Sequence, residues 1–213
     1  KKLFFNFFFL VFAVIHDSAP FILHLLLLAE LFVRTSSRPT HSSSICGFLG
    51  SMIPQVDRIM MLSKNLHGLS DDELLNLAAV DNRLDDLPHI QQTAAHFTSR
   101  KVNESLSQLH VYTQSFKLHI DWLITAQFNF SLPTQPAEGA SAHLLQLSTL
   151  IHTSLHQMHE TSTQAPPPSL PVAASTFDVL QFSVEISERL HVFCNWSRRL
   201  LRHLQKLSRC PRR

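Results

Sequence analysis

From Ser175 to Leu207 the apolar residues fall at Val179, Phe182, Ile186, Leu190, Phe193, Trp196, Leu200, Leu204 and Leu207, always three or four apart. No Pro or Gly interrupts them, so the spacing predicts one unbroken amphipathic helix with a single buried stripe. Roughly thirty residues make a rod of about 45 Å. Its far end carries Arg198, Arg199, Arg202, His203, Lys206 and Arg209. A rod of that length, apolar along one side, suits a long-chain bundle better than a compact enzyme domain.

Three further helices are expected. The first starts near Ser51, with Pro54 in its opening turn, Met52, Val56, Ile59, Met60 and Leu66 as its apolar positions, and Gly68 beyond its end. Ser70 and Glu73 have the spacing of a capping box for a short helix. Asp81 to Pro88 reads as loop. The second long helix runs from about Asn103 to Ala126, with Leu106, Leu109, Tyr112, Phe116, Ile120 and Leu123 in one stripe. Asn129 to Gly139 reads as a linker, and the third helix as about Ser141 to Thr161, followed by Pro166 to Pro168 and Pro171 in a stiff extended connection. No segment alternates with period two between turn signals, so the fold class is all-α, a four-helix bundle.

The connections suggest the wiring. The link between the first two long helices is longer than an antiparallel hairpin needs. The Pro-rich link before the last helix reaches roughly 43 Å when extended, enough to run the length of a bundle. Two long crossovers around a shorter middle link predict an up-up-down-down topology. In that arrangement Cys46 and Cys210 flank the same end of the bundle and can pair, leaving Cys194 as a thiol at the edge of the core; three unpaired cysteines is the competing reading.

At the other end of the chain, Lys1 and Lys2 precede an apolar run from Leu3 to Ile15, and a second run extends from Phe21 to Val33. Each is shorter than the roughly 18 to 20 residues of a bilayer span. A basic start, a short apolar core and small polar residues downstream read as a secretory signal, with a retained membrane anchor as the alternative. Residues 1–37 are thus expected to be a signal peptide or an upstream hydrophobic extension, 38–50 a flexible segment and 51–210 the folded domain. Three N-glycosylation triplets begin at Asn103, Asn129 and Asn195, in keeping with a secretory route. The net charge of +2 is too small to point to nucleic acid.

Chemistry is sparse. The glycines stand only at 47, 50, 68 and 139, and no phosphate loop, dinucleotide fingerprint or nucleophile elbow can be assembled from them. His152, His156 and His159 share one expected helix face and could bind zinc, but a solvated stripe is the simpler reading and no metal site is assigned. Asp71, Asp72, Glu73, Asp85 and Asp86 lie in cap and loop sequence, where capping and turn roles outweigh acid–base work. The basic end of the last helix opposes the helix dipole, yet it holds more cations than that requires, which leaves a partner-binding face open.

Specific strings add a resemblance. Leu84-Asp85-Asp86-Leu87-Pro88, His119-Ile120-Asp121-Trp122-Leu123, and Leu190-His191-Val192-Phe193-Cys194-Asn195-Trp196 running on through Arg199 and Leu201 resemble the interleukin-11 family, in order and within the same layout. The similarity covers about Ser51 to Leu207, is patchy, and fits a divergent, non-mammalian form. It implies a secreted cytokine of the interleukin-6 group with neither catalysis nor cofactor. Such a protein binds an interleukin-11-type alpha receptor and then the shared signal-transducing chain, activating JAK-STAT signalling. It needs no nucleic acid, inserts no mature segment into a membrane and is monomeric when unbound. The family's alpha-receptor surface includes the last part of the final helix, where an Asp-Trp pair and a following Arg matter; these positions fall on Asn195, Trp196 and Arg199, with Arg202 in the same basic end. The family's aromatic at the start of that helix, which meets the second signalling chain, aligns with Phe177, where Trp is usual; a staple or core role competes. Asn in place of Asp creates the sequon at that face, and mammalian members lack cysteines, so the Cys46–Cys210 link would be lineage-specific. The rival function is a secreted protein whose amphipathic helices open on a lipid surface.

Overall fold

The computed structural model describes residues 41–70, 72–74, 84–90, 101–160 and 169–211. The described residues belong to one unit, His41–Arg213, and the expected signal segment at 1–37 lies outside them. All regular structure among the described residues is helical: a helical turn at 72–74 beside the Ser70–Glu73 cap, and four long helices, α1 His41–Ser63, α2 Val102–Asn129, α3 Gln135–Gln157 and α4 Thr176–Leu207.

The longest helix, α4, spans the 32 residues that the apolar stripe marks out. Its start is a reciprocal cap. Ser175 Oγ accepts from the Asp178 N–H at 3.2 Å, while Asp178 Oδ2 accepts from Ser175 Oγ at 2.9 Å and from the Ala174 N–H at 3.1 Å. These bonds satisfy donors that a helix N-terminus otherwise leaves open, and the carboxylate suits the dipole.

Two helix starts differ from the sequence expectation. The segment 38–50, expected to be flexible, is helical from His41, and Pro54 is interior to α1 rather than in its first turn. Leu49 is fully buried in phase with Met52, Val56 and Ile59, so the buried stripe begins earlier than the serines suggested. Pro54 denies a hydrogen bond to the carbonyl of Gly50, but both residues are exposed and water can satisfy that oxygen. Likewise α3 begins at Gln135 inside the expected linker, with Pro136 in its first turn, where no N–H is missed. Ala137 and Ala140 are fully buried, and their small size conceals the start of the stripe.

Packing pairs set the directions. Phe116 meets Phe193 at 4.8 Å between ring centroids, Tyr112 meets Trp196 at 5.6 Å and Trp122 meets Phe182 edge-on at 5.5 Å, so α2 and α4 are antiparallel. His143 Nδ1 lies 2.9 Å from Gln55 Oε1, and Gly139 faces Leu62, so α1 and α3 are antiparallel. The Cys46–Cys210 bond brings the beginning of α1 to the end of α4. The short link 130–134 folds α3 back along α2. α1 therefore packs on α3 and α4, α2 packs on the same two, and one core of Leu, Ile, Phe and Ala side chains lies between all four. Gly139 has Leu62 Cδ1 only 3.2 Å from where a Cβ would stand, a close approach of α3 to α1 that a larger residue would push apart.

Three helices end alike. The N–H of Leu132 reaches Gln127 O at 2.9 Å, that of Glu160 reaches Leu155 O at 3.1 Å and that of Cys210 reaches Gln205 O at 2.9 Å. Each is the long bond of a Schellman motif, and the residue before it is left-handed: Ser131, His159 and Arg209 have φ of 57°, 58° and 51°. Glycine is usual there, and this chain uses none.

Candidate functional site

His152 and His156 are exposed on α3, while His159 lies past its end in the left-handed position, off the helical line of the other two. Among the described residues no three His, Cys, Asp or Glu side chains converge as metal ligands. Glu73 accepts from the Ser70 N–H and hydroxyl at 2.9 and 2.8 Å, and these bonds hold its pKa below the usual value. Asp86 accepts from the Ser169 N–H at 2.7 Å and from the Ser169 hydroxyl, which lowers its pKa in the same way. Both carboxylates act as caps and ties.

The tie through Asp86 belongs to a larger arrangement that sequence reasoning missed. Glu185 and Arg189 stand one turn apart on α4, joined at 2.8 Å. Arg189 Nη1 donates to the carbonyls of Leu84 and Leu87 at 2.6 and 3.0 Å, and Glu185 Oε1 accepts from the Leu84 N–H at 3.2 Å. With Leu84 and Leu87 buried, the segment 84–90 is fastened to the side of α4. Asp86 then fastens the second crossover, at Ser169, to the first. The i, i+4 spacing of Glu185 and Arg189 announces an ion pair, but nothing in their neighbourhood in sequence announces its cargo. His119 is fully buried in α2, with Nδ1 at 2.8 Å from Ser115 O and Nε2 without a partner among the described residues. Burial lowers its pKa against the opposing pull of the Ser115 carbonyl and Asp86.

The proposed contact residues separate into two groups along α4. Phe177 is 55% exposed in the first turn, and Val172 and Leu170 on the approach to it are exposed as well. It is neither a core residue nor covered as a staple. Near the other end Arg199 and Arg202 are exposed and Asn195 is half-buried. Trp196 is different: it is 5% exposed, with its ring against Tyr112 and Phe193. The stripe position, rather than an interface edge, decides its place. Arg198 turns toward α1 and stands 3.6 Å from Asp57.

Of the three sequons, Asn129 is exposed as the last residue of α2. Asn103 is half-buried and donates to Glu160 Oε1 at 2.6 Å. The third residue of the Asn195 sequon is Ser197, whose hydroxyl is buried without a partner among the described residues. Cys46 and Cys210 are bonded, with Cα atoms 5.4 Å apart. Cys194 is a free thiol, fully buried rather than at the edge of the core, and desolvation raises its pKa far above the usual value. Burial keeps it in the unreactive thiol form.

The 45–63 part of α1 is long and apolar enough to cross a bilayer, but its Leu49, Met52, Val56 and Ile59 face the core. Among the described residues the stripes of the other helices face the core in the same way.

A family model described as Interleukin 11 covers residues 39–208. No curated protein and no solved structure matches the chain.

Proposed function

The chain belongs to the interleukin-11 family, a family of secreted cytokines and not of enzymes, and from that premise we propose that it brings two kinds of receptor chain together along α4. The observation that carries this reading is the division of that helix. An exposed aromatic, Phe177, stands at its start and exposed arginines, Arg199 and Arg202, stand near its end. The two are separated by about 33 Å of continuous helix. A rigid spacer of that length lets one protein chain dock at each site without collision.

In this reading Asn195, Arg199 and Arg202 contact an interleukin-11-type alpha receptor. Trp196 acts from beneath by fixing the helix face rather than by touching the partner. Phe177 enters a pocket on the shared interleukin-6-family signal-transducing chain, and the resulting assembly activates JAK-STAT signalling. Aromatic and Arg anchors of this kind carry most of the free energy in protein interfaces. A glycan on Asn195 would stand in the first contact, so receptor-competent protein leaves that sequon unmodified, while Asn129 is the site with room for sugar.

The test uses cells bearing both receptor chains. Arg199→Ala should lose alpha-receptor affinity with helicity unchanged, and Phe177→Ala should keep that affinity while losing signalling. If both variants signal like the parent, the two-site reading of α4 is wrong.

A further inference from the structure

Beyond Asn195 the outer side of α4 is a line of cations. Arg199, Arg202 and Lys206 are exposed and recur three and four residues apart, and exposed Arg209 continues the line in the left-handed position after the helix. Arg199 and Lys206 are about 10 Å apart along the axis. Successive charges thus lie within roughly the 8 Å screening length of physiological salt, and their fields add. Among the described residues, two carboxylates on the helices packed against α4 flank the stretch. Asp57 on α1 is engaged by Arg198 at 3.6 Å. Glu104, in the first turn of α2, is brought level with the last turns of α4 by their antiparallel register. A helix C-terminus presents about half a negative charge, so the exposed Arg202, Lys206 and Arg209 leave an excess of positive charge.

The line is also held in place. The last turn is closed by the Arg209 N–H on Lys206 O at 3.1 Å and the Cys210 N–H on Gln205 O at 2.9 Å. The next covalent step, the bond from Cys210 to Cys46, anchors that turn to α1. A helix end that would otherwise fray presents its charges at fixed spacing.

We propose that this line docks a linear sulfated polysaccharide. The chain comes from a secreted family, which makes an extracellular polyanion the fitting occupant. Arginine forks match the oxygens of an oxyanion in pairs, and a polymer of regularly spaced anions releases counterions as it lies along regularly spaced cations, as nucleic acids do. This goes beyond the receptor reading. The two surfaces overlap at Arg199 and Arg202, whereas Lys206 and Arg209 lie past the receptor contact and belong to the polysaccharide alone.

The experiment measures binding of the secreted protein to heparin and to desulfated heparin, with alpha-receptor affinity read in parallel. Wild type should bind sulfated chains only, with affinity falling steeply as salt rises. Lys206→Glu with Arg209→Glu should weaken heparin binding at least about tenfold and leave alpha-receptor affinity unchanged. Lys206→Gln with Arg209→Gln should show a smaller loss in the same direction, and Lys64→Glu, an exposed cation elsewhere, should show none. Unchanged heparin binding in both double variants, equal binding to desulfated chains, or an equal loss in Lys64→Glu overturns the proposal. Failure of the receptor reading is visible separately, as an Arg199→Ala protein that binds receptor normally.

Discussion

Arg189 holds the backbone carbonyl of Leu84 at 2.6 Å across 105 positions of sequence. That bond, with its companion to Leu87 and the Glu185 carboxylate behind it, makes the segment 84–90 part of the bundle rather than a strand of loop beside it. Arg189→Ala takes the guanidinium away from the buried Glu185 carboxylate and should cost about 3 kcal/mol, read as a lower urea midpoint. Limited proteolysis should then open the chain within 84–90 before the helices unfold. Glu185→Gln keeps a group able to meet Arg189 and should cost only about 1 to 2 kcal/mol.

The buried histidines set a dependence on pH. Burial lowers the pKa of His119 and His110 below the ordinary 6.5. Above that value both states are neutral and stability is full. Below it the unfolded chain takes up protons that the folded chain refuses, so stability falls, levelling off only under the depressed folded pKa. Denaturant midpoints between pH 7.5 and 5.5 should show this fall, and His119→Phe should flatten part of it. The lowered carboxylates Glu73 and Asp86 act in a separate, more acidic window, losing their contribution as pH falls through their folded pKa values.

Trp196 and Arg199 are neighbours on one helix with different consequences. Trp196→Ala empties a core position and should cost about 3 to 5 kcal/mol. Any lost receptor binding should return in Trp196→Phe, which keeps an aromatic against Tyr112. Arg199→Ala should leave the thermal midpoint in place. Calorimetry beside a receptor titration separates the two.

Glycine substitution at the helix ends should stabilise. Ser131 and His159 occupy left-handed conformations that oppose an L side chain by about 1 to 2 kcal/mol, partly offset by the greater unfolded-state freedom of glycine. Ser131→Gly and His159→Gly should each raise stability by about 0.5 to 1 kcal/mol in denaturant titrations.

The disulfide closes a loop of 164 residues, for which chain entropy sets an upper limit of about 5 kcal/mol. Cys46→Ser with Cys210→Ser should lose about 2 to 4 kcal/mol, measured at matched denaturant slope. A loss below the error of the titration would mean that the reduced chain is already restrained near that geometry.

Much of this architecture is legible in the sequence because α4 is locally self-consistent. Its stripe never skips, and Ser175 and Asp178 supply a cap at the spacing a helix start requires. The start of α1 is less legible because serines suit turns as well as first turns of helices, and Leu49 declares itself only when the stripe is extended backwards through them. The start of α3 hides behind Pro136 and two buried alanines. Trp196 shows a different limit: periodicity assigns it to the core and resemblance assigns it to an interface, and only the packing of Tyr112 and Phe193 decides between them. The clamp at Arg189 is illegible in principle, since its partners are backbone atoms of a distant loop and backbone atoms carry no residue signature.

The burial of Cys194 has a consequence for how this protein matures. In an unfolded chain, loop closure favours joining Cys194 to Cys210 over joining Cys210 to the far more distant Cys46. Once α4 winds, the stretch between Cys194 and Cys210 spans about 24 Å, while a bridge requires Cα atoms within roughly 7 Å. Helix formation therefore proofreads the oxidation: the kinetically convenient bridge is cancelled by geometry, the competing thiol is sealed in the core, and the correct bond waits for the two ends of the bundle to arrive.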